Sequence, residues 1–382
     1  MKKHLLLLAL FVKASALFSQ SQFVISGKTN FIANGKAILS RNSAAWFYPP
    51  NFKNDTVPVH NHAFLLKGTL KYPLFFRLYL FDESGKGIWT EPFFVDSGNQ
   101  ILVSDLTTVV HDNSIDAYGQ GVLIEGSKAN DEYVNNFLPL FNRMNNGIMA
   151  YLNENLNDFR INDKRAQRDS MAKTEAKRAN FRKTGDSILY EYANTYPRSP
   201  IISWMLFEAG WRHYYSDYYY KAFDKITLYT PTNINKKLKA FLDTQKLKGV
   251  GEVFPLLDFI RANTGDEGKR AKYTLVDFWF SGCGPCIRKF NELKETYKEF
   301  HNKGFNIVAI SSDRKESLPE YERIIKKYQY TWDQVLDVDG VKTKAINIHI
   351  FPSTFLLDSQ GKIIQTFINP VLLNAFLEKN LP

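Results

Sequence analysis

Val276-Asp-Phe-Trp-Phe-Ser-Gly-Cys283-Gly-Pro-Cys286 decides the reading of this chain. Its first half is an apolar run broken by one carboxylate, Asp277, as in a buried strand. From Pro285 to Phe300 the apolar residues take helical spacing. The two cysteines therefore stand where a buried strand passes into a helix. The first falls at the helix N-terminus, where free backbone N–H groups and the helix dipole favour negative charge. That setting lowers a thiol pKa and supplies thiolate at neutral pH. The second lies one turn in, close enough to resolve a mixed disulfide within the protein. Gly284 permits a tight approach. Pro285 suits a first helical turn, where its missing N–H would be unpaired anyway.

The chain has 382 residues and no other cysteine. An exported protein stapled by disulfides would spread its pairs along the sequence. A zinc half-site would need two further soft ligands. His301, at the far end of the helix, is badly placed to be one. An active dithiol pair is favoured over both a structural disulfide and a metal site.

Strand and helix alternate around this segment. Leu275–Phe280 and Phe305–Ile310 read as buried strands, and Leu318–Tyr328 as a second helix. Phe355–Leu357 and Ile363–Phe367 flank Asp358-Ser-Gln-Gly-Lys362, a hairpin signal. A last helix runs from about Val371 to Lys379. Such units build a mixed sheet with helices on both faces, an α/β domain.

The quoted string, with Ile350-Phe-Pro352-Ser-Thr-Phe-Leu-Leu-Asp358 and the lead-in Gly251-Glu-Val-Phe-Pro255, resembles the thioredoxin superfamily. More narrowly, residues 250–382 resemble its TlpA/ResA-like extracytoplasmic thiol–disulfide oxidoreductases. The resemblance implies that Cys283 attacks and Cys286 resolves. It implies a cis Pro352 stacked against the pair, with the Phe351 backbone pairing to a bound peptide beside Gly284 and Pro285. Asp277 stands where thioredoxins keep a buried acid, which could take the proton of Cys286 during resolution. The alternative for Asp277 is a hydrogen-bonded strand residue with no catalytic role. The resemblance implies no cofactor and no metal. Its partners would be disulfides of exported proteins and an upstream electron-donor thiol protein.

Three positions depart from the family pattern. Gly282 replaces the usual Trp, which predicts a more open surface around the reactive sulfur. Asn291 replaces a helix-bending proline. Ile310 takes the place of a Lys near the buried acid, so Asp277 is expected to lack a cationic neighbour and to ionise less readily. A thiol peroxidase of the peroxiredoxin type would share the fold. Such enzymes place Thr or Ser three residues before the reactive Cys, where this chain has Phe280. A third possibility is a partner-binding protein with an accessory redox domain.

Upstream, residues 20–115 read as short strands between Gly, Asn, Asp and Pro residues, which suggests a small β-sandwich. His60 and His62 form a loop His-x-His, more often solvated than metal-bound. Residues 125–248 read as helical, with a mixed-charge solvated run over Lys164–Lys183. Trp204, Trp211, Tyr214, Tyr215 and Tyr218–Tyr220 suggest packing between helices or, alternatively, a partner-binding face. Gly249–Pro255 reads as a linker.

Residues 1–19 look like a secretory signal. Lys2 and Lys3 precede a short apolar run, Leu5–Val12, and small residues lead to cleavage near Ser19–Gln20. No Cys follows for a lipid anchor. No later run of about 18 apolar residues predicts a membrane span, so a soluble periplasmic protein is expected. The net charge is +10, but Lys and Arg are interspersed with nearly as many acids, so no nucleic-acid partner is expected.

Overall fold

The computed structural model describes residues 21–41, 48, 55–105, 122–142, 164–265 and 271–381. The expected signal segment, residues 1–19, lies outside the described residues. So do residues 42–47, 49–54 and 106–115 of the expected β region. The chain forms two compact units, one ending at Tyr133 and one beginning at Val134.

The first unit is built of strands β1 (Ser21–Thr29), β2 (Gly35–Arg41), β3 (Asp55–Val59), β4 (Ala63–Leu70), β5 (Leu74–Asp82), β6 (Gly87–Trp89), β7 (Phe93–Val95), β8 (Gly98–Ser104) and β9 (Val122–Glu125). One sheet runs β4-β1-β8-β9. A second runs β3-β2-β5-β6, with β7 also on β5. Along β1, Phe23 and Ile25 are buried while their neighbours are not, the period-2 alternation of a strand with one covered face. The rings of Phe23 and Phe76, one from each sheet, lie 6.5 Å apart. His60 and His62 flank the β3–β4 turn. Asn61 and His62 take positive φ there, as a two-residue hairpin loop requires, and Nδ1 of His62 lies 3.1 Å from the Thr29 carbonyl oxygen.

The second unit begins with helices α1 (Lys164–Thr195), α2 (Ile201–His213), α3 (Asp217–Ile226) and α4 (Thr232–Lys246). It continues as α5 (Leu257–Asn263), β10 (Tyr273–Trp279), α6 (Gly284–Phe300), β11 (Phe305–Ser311), α7 (Leu318–Tyr328), β12 (Asp333–Leu336), α8 (Val341–Ala345), β13 (Ser353–Asp358), β14 (Ile363–Thr366) and α9 (Pro370–Asn380). These last strands form one mixed sheet in the order β12-β11-β10-β13-β14. β10, β11 and β12 are parallel, β13 runs antiparallel to β10, and β14 runs antiparallel to β13.

Strand β10 lies at the middle of this sheet and is buried on both faces. Leu275 and Trp279 enter one core with Phe290 and Leu293 of α6. Val276 and Phe278 enter the other, with Phe254, Val308, Ile310 and Phe355. By the same alternation Asp277 falls on the face covered by α6. The hairpin turn after β13 is closed by Asp358, whose Oδ1 accepts the backbone N–H of Gln360 and of Lys362, each at 2.9 Å.

The segment expected to be a linker is bonded into this domain. The N–H of Gly251 donates to Ile363 O at 2.8 Å, and that of Phe254 to Gly361 O at 2.8 Å. Lys248, just before it, is buried against the same domain. Glycines at 249 and 251 carry loop backbone here rather than slack chain. Among the aromatic residues of the helical stretch, Trp204, Tyr214 and Tyr219 are buried. No helix among the described residues is long and apolar enough to cross a membrane.

Candidate functional site

Helix α6 begins at the reactive turn because three local features agree. Cys283 has extended backbone, φ −83° and ψ 90°, as an N-cap residue should. Pro285 lies in the first turn, where its missing N–H costs nothing. The Cys283 sulfur accepts the backbone N–H of Cys286 at 3.2 Å, taking the capping role usually filled by oxygen. Any charge on that sulfur therefore meets an N–H dipole and the positive end of a helix. Cys283 and Cys286 are joined by a disulfide, with their Cα atoms 5.3 Å apart. Cys286 is fully buried, and Cys283 is 4% exposed. Gly284 and Pro285, between them, are exposed.

The turn before Cys283 is held by Asp313, a buried residue just beyond the end of β11. Its two carboxylate oxygens accept the Ser281 N–H at 3.1 and 3.0 Å. They also accept the hydroxyls of Ser281 and Ser311, each at 2.5 Å. The sequence reading missed Asp313. Its only signal was a carboxylate two residues past a strand end, a position that does not announce its partners.

The Phe351–Pro352 bond is cis. Phe351 packs against the core that contains both cysteines, and its ring meets that of Phe280 edge to face, centroids 5.4 Å apart. The expected opening at Gly282 is not found. Gly282 itself is exposed, but a Cβ there would meet the Phe280 ring at 3.2 Å, so the neighbouring aromatic already covers that space. Cys283 is correspondingly shielded.

Asp277 is fully buried, and among the described residues neither of its carboxylate oxygens has a hydrogen-bond partner at ordinary distance. Lys289, one turn beyond Cys286 on α6, brings its ammonium to 3.5 Å from Oδ2. The same ammonium donates to Thr354 Oγ1 at 3.2 Å, and Thr354 sits opposite Asp277 in the β10–β13 register. Burial pushes the Asp277 carboxyl up to about 6, and the charge of Lys289 works against that rise. The expectation that Asp277 lacks a cation is thus corrected. Ile310 does leave its position apolar, and its side chain lies in the core on the other face of the sheet. The cation comes from the helix instead. Spacing hinted at this, since residue 289 shares a helix face with Cys286.

The structure therefore gathers the cysteine pair, the cis-proline segment and the Phe280 ring against one core, with Asp277 and Lys289 paired between β10 and α6. Chemically, the arrangement offers a sulfur pair that can interconvert dithiol and disulfide, and a buried acid able to change protonation near neutral pH. Among the described residues no group of three or more His, Cys, Asp or Glu side chains is arranged to hold a metal ion.

The chain is similar in sequence to known proteins. The Redoxin family profile matches residues 257–376. The thiol-disulfide oxidoreductase ResA of Bacillus subtilis is 30% identical over 96 residues, 25% of this chain and 52% of that protein. The sporulation thiol-disulfide oxidoreductase A of the same organism is 28% identical over 110 residues, 28% of this chain and 67% of that protein. Among solved structures, the thioredoxin domain of a thiol-disulfide oxidoreductase from Bacteroides vulgatus is 33% identical. That match covers 35% of this chain and 99% of the other, with a TM-score of 0.30. Over the matched residues, 257–376, these similarities support a thioredoxin-superfamily protein. Within that superfamily, the chain is ResA-like. It spans about half the length of the first ResA proteins it matches.

Proposed function

We propose that this protein is an extracytoplasmic thiol–disulfide oxidoreductase acting on disulfides of exported proteins, in the reducing direction. The observation that carries the reading is the sulfur of Cys283 at the start of α6, bonded to Cys286 and accepting its N–H. In the reduced protein the Cys283 thiolate attacks one sulfur of a substrate disulfide and expels the other as a thiolate. Cys286, losing its proton, then attacks the Cys283 sulfur. The substrate leaves with both sulfurs reduced, and the Cys283–Cys286 disulfide remains. An upstream dithiol protein returns two electrons by the same exchange. No cofactor or metal enters the cycle.

Asp277 is the proton acceptor for Cys286, and Lys289 keeps part of it ionised near neutral pH. Phe351 and Pro352 offer backbone to the substrate peptide, with Gly284 and Pro285 on the exposed side of the turn. Residues 1–19 act as a signal peptide that delivers the chain to the periplasm. Residues 20–115 form a β-sandwich and residues 125–248 a helical region. Both recognise partners, and residues 250–382 do the chemistry.

Insulin reduction tests the reading. Wild-type protein recycled by a dithiol reductant should precipitate the insulin B chain, while Cys283→Ser and Cys286→Ser should fall to background. Full activity in either variant would sink the proposal.

A further inference from the structure

The segment that ends in Phe351 and Pro352 is gripped by three residues of the helical stretch that precedes the redox sheet. The carbonyl oxygen of Trp211 lies 2.9 Å from Nε2 of His349. Lys248 donates to the carbonyl oxygens of Ile346 and Asn347, at 2.5 and 3.2 Å. The hydroxyl of Tyr214 lies 2.7 Å from Oγ of Ser353, the residue after the cis proline. The Ser353 hydroxyl itself donates to Ile350 O at 2.6 Å. A serine hydroxyl has one proton, so the phenol must be the donor in the first bond. A short chain of bonds thus runs from Tyr214 through Ser353 to Ile350 and brackets Phe351–Pro352.

Tyr214 is itself tightly constrained. It is 1% exposed, stacks on Phe355 and Phe367, and carries the Lys248 ammonium 4.3 Å above its ring. Its backbone has φ +64° and ψ −94°, a conformation that non-glycine residues adopt only where surroundings enforce it. The strain falls at the residue whose side chain bonds to Ser353. Nothing in the sulfur chemistry calls for this contact.

We infer that Tyr214 is a positioning residue: through Ser353 it fixes the Phe351–Pro352 backbone in the conformation that accepts a substrate polypeptide, and so sets affinity for protein disulfides. The inference rests on the reading that this backbone docks the substrate. It distinguishes large from small substrates. A protein disulfide needs the ordered loop, whereas a small disulfide needs only the sulfur pair.

Tyr214→Phe removes the donor and keeps the ring packing. Ser353→Ala removes the same bond from the other side, together with the Ser353–Ile350 bond, in case the tyrosine variant folds poorly. In the full-length protein, amide exchange over residues 346–353 should speed up about fivefold in Tyr214→Phe, the scale of one net hydrogen bond, and by more in Ser353→Ala, which loses two. Exchange along β10 should not change. In each variant the KM for insulin should rise by about the same factor as loop exchange with kcat held, and the double variant should be no worse than Ser353→Ala alone. The rate with bis(2-hydroxyethyl) disulfide should stay at the wild-type value. Unchanged loop exchange would overturn the inference. So would equal losses with insulin and the small disulfide, which a merely structural role would produce. A wild-type protein inert toward insulin would overturn the reductase reading instead, and the exchange comparison would still decide whether Tyr214 orders the loop.

Discussion

Asp277 and Asp313 are both buried in the redox domain, on or just beyond neighbouring strands, yet their surroundings are built on opposite plans. Asp313 accepts one N–H and two hydroxyls, and so anchors the turn that leads into Cys283. Among the described residues, Asp277 is met by no donor closer than the Lys289 ammonium at 3.5 Å. A carboxylate saturated with donors is held in place. One that is desolvated and nearly orphaned holds its charge at a cost, and that cost becomes a changeable protonation state. The difference supports the proposed roles, Asp313 in architecture and Asp277 in proton transfer.

The largest effect expected from this contrast is on stability at Asp313. Asp313→Ala strands three buried donors and should cost about 3 kcal/mol in denaturant unfolding. It should leave the pH dependence of resolution where it was. A loss below about 1 kcal/mol would mean that water replaces the carboxylate, and the contrast would weaken.

Next comes rate. Asp277→Ala should slow decay of the mixed disulfide about 100-fold, the lower end for general-base assistance. Its formation should change little, because the helix terminus still stabilises the Cys283 thiolate. Stopped-flow traces separate the two phases, and an unchanged decay would return Asp277 to a structural role.

A smaller effect should appear in equilibrium stability. The folded carboxyl sits near 6, above its ordinary value of 3.8, so the folded state binds the proton more tightly than the unfolded one. That preference stabilises the fold below about pH 4 and is lost as the pH rises through about 6. Asp277→Asn mimics the protonated form. It should be more stable than wild type by about 2 kcal/mol at pH 7.5, with the gap closing toward pH 4. A gap constant from pH 4 to 8 would contradict the raised pKa.

The smallest effect concerns Lys289. Lys289→Met removes the charge holding Asp277 down and should shift the inflection of the resolution rate upward by about one pH unit. Lys289→Arg should restore it. No shift in either variant would show that the 3.5 Å pair is too weak to tune the acid.

These pairings also show what a sequence makes legible. Helix α7 was bounded closely, with Pro319 in its first turn and only Ile324 buried along it. Strand β10 and the cysteine turn were legible because an unbroken apolar run followed by Cys-Gly-Pro-Cys has few other uses. Strand β12 was missed. Asp-Gln-Val-Leu buries only Val335, and four residues with one buried position carry no period. The Asp277–Lys289 pair was missed for another reason. Helix spacing tells which residues share a face, but not which strand residue lies beneath that face. Likewise, nothing in Gly249–Pro255 announced that Lys248 and Tyr214 pack into the redox domain, because that burial depends on a fold-level contact.

The central claim is that Cys283 attacks and Cys286 resolves, and trapping tests it most directly. Reduced Cys286→Ser, mixed with a disulfide-bonded substrate protein, should accumulate a mixed disulfide that mass analysis locates at Cys283, while Cys283→Ser should accumulate none. A stable adduct through Cys286 in Cys283→Ser, with none at Cys283 in Cys286→Ser, would contradict the assignment.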